Sequence, residues 1–95
     1  MKYTHKYGVE LENLIAKAAK NKALLHEFLF DLLSPAEYKD LAVRWQIVKQ
    51  LHKDVTQRDI TKKLHVSIST VTRGSRELMN KKGGFNKILE KYHVK

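Results

Sequence analysis

The sequence predicts an all-α protein of about six helices, and three observations carry that expectation. Apolar residues recur at helical spacing along most of the chain. Capping residues punctuate it at Ser34, Thr56 and Ser67, and the single proline, Pro35, stands at a helix start. Ninety-five residues make one domain, residues 1–95. A monomer of this size buries only about 60 to 65 % of the surface its unfolded chain exposes, so leftover apolar helix surface is expected to seek a partner.

Residues 1–8 read as a loose arm, as chain ends commonly are. From Val9 to about Lys20, Leu11, Leu14, Ile15, Ala18 and Ala19 recur on one helical face. A second helix follows from Asn21 or Lys22 to Leu33. Its Leu24, Leu25, Phe28, Leu29, Leu32 and Leu33 cover more than one face, which suits a core shared between chains. Ser34, Pro35 and Glu37 then spell an N-cap, a first-turn proline and the third-position acid of a capping box. The helix they open is expected to reach Leu51 or His52, with Tyr38, Leu41, Trp45, Val48 and Leu51 along one side and Arg44 bordering that stripe. These core helices span residues 9–55.

Residues 56–80 read as a helix-turn-helix. Thr56 caps the first helix, Asp59 stands where a capping box would answer it, and Ile60 and Leu64 supply the inward stripe. His65, Val66 and Ser67 make the turn, with Ser67 as the second N-cap. Ile68, Val71, Leu78 and Met79, with the small Ser75, share one face of the second helix. Ser69, Arg73, Arg76 and Asn80 gather on the other. Such a face of hydroxyl, guanidinium and amide groups suits the major groove. Lys81, Lys82, Gly83 and Gly84 are expected to end that helix, and Phe85, Ile88, Leu89 and Tyr92 mark a last one over residues 84–93.

The formal charge of +9 lies wholly in the second part of the chain. Residues 1–43 hold six Lys and six acids, whereas residues 44–95 hold thirteen Lys and Arg against four acids. One-sided basic charge gives salt-dependent affinity for the phosphates of nucleic acid. There is no Cys, hence no disulfide or thiolate metal site. His5, His26, His52, His65 and His93 are too widely spaced for a local metal pair. No nucleophile motif, phosphate loop or paired-carboxylate constellation points to an enzyme or to a cofactor. No apolar run approaches a membrane span, and no signal-peptide core follows the opening residues, so the expected location is the cytoplasm.

The order of a leucine-rich pair, then LLSPAEYKDLAVRWQIVKQL, TQRDI and STVTRGSREL, resembles the Trp repressor family of bacterial transcription factors. The resemblance covers residues 32–78, and its most specific piece is Thr72-Arg73-Gly74-Ser75 after a helix-turn-helix, with Arg44 in the long helix before it. It implies an intertwined homodimer whose N-terminal helices form the core, with two reading heads on double-stranded operator DNA. Gln57 and Arg58 match positions that approach phosphate, and Thr61, Ile68, Ser69, Thr70 and Thr72 match positions near bases or backbone. Ser67 and Arg76 join this DNA-binding set from the residue pattern itself.

The resemblance also implies L-tryptophan as corepressor. Arg44 and Arg73 match the two arginines that flank the indole, and Arg73 also faces the carboxylate. A planar guanidinium can stack on an aromatic ring while another forks onto a carboxylate. Leu33 and Ser34 match positions whose backbone receives the ammonium, and Gly74 leaves room for close approach. Two departures stand out. Glu77 replaces a small hydroxyl residue near the ammonium, where it would pair either with Arg73 or with the ligand. The loop formed by residues 52–55 is about one residue shorter and lacks the usual glycine. The expected function is a sequence-specific, DNA-binding transcriptional repressor controlled by tryptophan. A ligand-independent regulator of the same fold and a basic helical RNA-binding protein are the alternatives.

Overall fold

The computed structural model describes residues 2–92. It contains six α-helices: α1 (Lys2–Ala18), α2 (Lys22–Leu32), α3 (Pro35–His52), α4 (Gln57–Leu64), α5 (Ile68–Leu78) and α6 (Gly84–Lys91). No strand occurs among the described residues, so the all-α expectation holds. The chain divides into two compact units, one up to Tyr38 and one from Lys39.

In the first unit α1 packs on α2. The reading of residues 1–8 as a loose arm is corrected for the described part, because α1 begins at Lys2. Nothing between Lys2 and Gly8 breaks a helix, and a Cβ at Gly8 would meet no atom within 4 Å, so the glycine costs the helix only its propensity. Asn21 caps α2 by accepting a 3.2 Å bond from the Leu24 N–H. Leu33 leaves the helix in extended conformation, its N–H still bonded to the Leu29 carbonyl. The capping box that follows is complete: the Ser34 N–H donates to Glu37 Oε1 at 2.8 Å and the Glu37 N–H to Ser34 Oγ at 3.2 Å. Ala18 is the buried side chain of α1, whereas no residue of α2 is buried and Leu14, Leu24, Phe30 and Leu32 are all about half exposed.

The second unit is built around Ile47, Ile60 and Val71, one side chain each from α3, α4 and α5, with Val43, Leu51, Val55, Leu64 and Val66 packed around them. The expected stripe of α3 is corrected here. Leu41 stays 48 % exposed, and Ile47, outside that stripe, is fully buried. Residues 43, 47 and 51 follow the i, i+4 row that faces α4 and α5, and Val48 joins it one step round. On α5, Val71 is buried as expected, but Ile68 at its start and Met79 at its cap are 55 and 76 % exposed.

Both helices of the reading head start where the sequence indicates, although among the described residues the Asp59 carboxylate does not return the bond of a capping box to the Thr56 N–H. Thr56 Oγ1 accepts from the Asp59 N–H at 3.2 Å, and Ser67 Oγ accepts from the Thr70 N–H at 3.3 Å. His65 ends α4 in the left-handed region, with φ 55°. Asp54, in the short loop after α3, also turns left-handed, with φ 63°, taking a conformation usually left to glycine. The expectation that Gly83 and Gly84 close α5 is corrected. α5 stops at Leu78 with Met79 as its cap, and Gly83 is instead the N-cap of α6. The chain is turned there by Asn86, whose Nδ2 donates to the Leu78 and Asn80 carbonyls at 2.8 and 2.9 Å. Gly83 allows this approach, since a Cβ would sit 3.1 Å from the Asn80 carbonyl oxygen.

Candidate ligand pocket and nucleic-acid interface

Three helices of the second unit line a partly open cavity of about 80 Å³. α3 contributes Arg44, Ile47 and Val48, α5 contributes Thr70, Arg73, Gly74 and Glu77, and α6 contributes Phe85. On α5 the four residues fall within an arc of about 100°, the i, i+3, i+4, i+7 row of one helix face. Four of the six residues expected at a ligand site therefore line one space: Arg44, Arg73, Gly74 and Glu77. The other two, Leu33 and Ser34, belong to the first unit and do not line it. Ser34 is engaged there with Glu37.

The cavity's chemistry is mixed. Ile47, Val48 and Phe85 supply an apolar lining, and two guanidiniums and one carboxylate supply charge. Arg44, Arg73 and Glu77 are all exposed. Among the described residues no ion pair joins Glu77 to Arg73, so the carboxylate is available rather than committed to its neighbour. Gly74 is also a packing residue. A Cβ there would lie 3.0 Å from Ile47 Cγ2 and 3.6 Å from Leu51 Cδ1, so the glycine is what lets α5 approach α3.

Thr70, Ile47, Val48 and Phe85 were not expected in this lining. Helical spacing held the signal for three of them, since Ile47 and Val48 follow Arg44 by one turn and Thr70 precedes Arg73 by one turn. Phe85 carried none, because its apolar stripe reads as ordinary packing.

On a neighbouring arc of α5 lie Ser69 and Arg76, both exposed, and the half-buried Thr72. Arg73 stands at the boundary between this arc and the cavity, which is why a helix wheel groups it with Arg76 although it also lines the cavity. Ile68, Ser67 and Thr70 are exposed at the start of α5, and Arg58 is exposed on α4. Three hydroxyls meet at that start: Ser67 Oγ lies 3.0 Å from Ser69 Oγ and 2.8 Å from Thr70 Oγ1. Thr61, half-buried, donates its hydroxyl to the Arg58 carbonyl at 2.6 Å. Gln57, also half-buried, accepts from Thr72 Oγ1 at 3.1 Å.

Two capped helices joined by a three-residue turn, set on a third helix and presenting hydroxyls and arginines, define the class of helix-turn-helix regulators. Residues 10–93 match the Trp repressor protein family. The chain is 41% identical over 80 residues to the Trp operon repressor homolog of Chlamydia trachomatis serovar L2, an overlap of 82% of this chain and 83% of that one. It is 38% identical over 74 residues to the Trp operon repressor homolog of Vibrio campbellii, covering 76 and 72% of the two chains. A shorter overlap of 53 residues is 49% identical to the homolog of Actinobacillus succinogenes, covering 55 and 52%. The chain belongs to the Trp repressor protein family, whose members are regulatory DNA-binding proteins rather than enzymes.

Proposed function

We propose that this chain is a sequence-specific transcriptional repressor that binds double-stranded operator DNA as a homodimer and takes L-tryptophan as its corepressor. The cavity between α3, α5 and α6 carries this reading, because it sets two planar cations against an apolar wall, and one of them, Arg73, lies on the helix that bears the exposed Ser69 and Arg76. An indole is planar and apolar and carries a zwitterionic tail, and each of those properties has a counterpart in this lining. Arg44 and Arg73 flank the ring, Arg73 reaches the carboxylate, and the backbone at Leu33 and Ser34 receives the ammonium in the assembled protein, as family membership implies. Gln57, Arg58, Thr61, Ser67, Ile68, Ser69, Thr70, Thr72 and Arg76 form the DNA face.

In this reading residues 1–95 act as one domain, with core helices over 9–55, the reading head over 56–80 and α6 as a closing helix. No helix among the described residues is long and apolar enough to cross a membrane. The operator DNA places the working protein in the cytoplasm. The test is titration calorimetry of the full chain with L-tryptophan, with and without a duplex recovered from a randomised library. Linkage requires that ligand and duplex tighten each other by the same factor. Specific duplex binding that tryptophan does not alter would leave a ligand-independent regulator, and preference for structured RNA over every duplex would overturn the DNA reading.

A further inference from the structure

Most side-chain hydrogen bonds of the reading head span two or three residues, and each serves a helix end or a single turn. One does not. Thr72, in the middle of α5, donates its hydroxyl to Gln57 Oε1 at 3.1 Å across fifteen residues of sequence, linking the second helix of the head to the first residue of α4. Both residues are half-buried, so the bond is partly shielded from competing water.

We infer that Thr72 is a positioning residue for Gln57, and that it sets the Gln57 amide as a hydrogen-bond donor to the DNA backbone. A carboxamide has two chemically opposite ends, an acceptor oxygen and a donor NH2, and an unrestrained glutamine offers either. With its oxygen engaged by Thr72, Gln57 has its NH2 left to offer. A phosphate oxygen is an acceptor only, so this orientation matches it, and the reverse orientation would set oxygen against oxygen. Gln57 is also the residue directly after the Thr56 cap, in the first turn of α4, where the helix dipole favours the same anion. Thr72 thus belongs to the DNA face as the support of Gln57, through which it acts. The inference rests on the proposed DNA-binding role.

The test measures equilibrium binding of the full chain to the duplex selected by the unaltered protein, across a series of salt concentrations. Thr72→Val, which keeps shape and removes the donor, should weaken binding about three- to tenfold, the range of one net hydrogen bond. Gln57→Ala should cost about the same. The double variant should bind no worse than Gln57→Ala alone, because the two residues act as one device. Thr72→Ser should restore binding to within about twofold. Gln57→Glu, which keeps an acceptor for Thr72 but turns the donor end into an anion, should bind more weakly than Gln57→Ala. The salt slope should stay as in the unaltered chain for Thr72→Val and Gln57→Ala, since neither removes a charge. Additive losses in the double variant would overturn the inference, showing that Thr72 meets DNA independently. So would a Gln57→Glu chain that binds as well as Gln57→Ala. A chain that selects no duplex at all would instead overturn the DNA reading on which the inference stands.

Discussion

Arg44 and Arg73 reach the same cavity from different helices, and each brings a planar, five-donor guanidinium to it. Arg44 lies on α3, off the reading head, so Arg44→Ala should abolish the effect of tryptophan on DNA binding while the weak unliganded binding persists. Paired binding curves with and without ligand check this. Glu77 is the residue whose consequence is hardest to see from sequence, because a carboxylate four residues after an arginine normally pairs with it. It lines the cavity with no ion pair to Arg73 among the described residues. Glu77→Ser should therefore weaken tryptophan binding, and calorimetry showing tighter binding would mean that the carboxylate obstructs the site. Glu37 offers a pH readout elsewhere in the chain. The Ser34 N–H, and after it the Ser34 hydroxyl, hold its carboxyl below the usual value. A lowered folded pKa gives stability that is present above the unfolded pKa and disappears as pH falls through the folded one. Glu37→Gln should accordingly flatten the acid side of a plot of Tm against pH and leave the neutral side nearly level.

At the scale of elements, capping chemistry made the helix starts legible: Ser34, Thr56 and Ser67 each accept the bond their position predicted. Helix ends and faces were less so. The pair Gly83-Gly84 suits a C-cap by composition, yet Asn86 reaches back to the Leu78 carbonyl and makes the same glycines an N-terminus. That contact depends on tertiary approach, which no local pattern encodes. Ile47 was missed for a similar reason, since α3 is apolar on more than one side and only the seating of α4 and α5 decides which side is buried. The left-handed residues give this scale its predictions. A left-handed residue with a Cβ costs roughly 1–2 kcal/mol, part of which glycine returns through its larger unfolded entropy. His65→Gly should thus raise stability by about 0.5–1 kcal/mol, and Asp54→Gly by less, because aspartate tolerates that region better. Gly74→Ala should do the opposite. Its gain in helix propensity is about 1 kcal/mol, but the added methyl meets the fully buried Ile47, and overpacking costs about 1–3 kcal/mol. Thermal melts of the three variants separate these effects.

For the whole molecule, charge and apolar surface divide the chain in the same order. The acid–base balance up to residue 43 is neutral and the remainder carries the full +9, which fits a first part that meets protein and a second that meets phosphate. Specific binding should fall steeply with salt, and Arg58→Ala should lower the slope of log K against log salt by about 1, whereas Ser69→Ala should change preference among sequences and leave the slope alone. The apolar half of the argument concerns assembly. α2 has a leucine-rich sequence, yet none of its residues is buried within one chain, and Leu14 of α1 is 46 % exposed beside it. Surface of that kind is rarely left to water. A second copy of the chain, meeting the first through these helices, would cover it and make folding and association one event. Sedimentation at micromolar concentration should then give about twice the chain mass, and the melting temperature should rise with protein concentration, as mass action requires for a dimer that unfolds to monomers. Phe28, only half-buried in the isolated chain, supplies the sharper measurement. If the partner completes its burial, Phe28→Ala should cost about 3–5 kcal/mol, the range for a fully buried ring, and a loss near 1 kcal/mol together with a concentration-independent melt would identify a stable monomer.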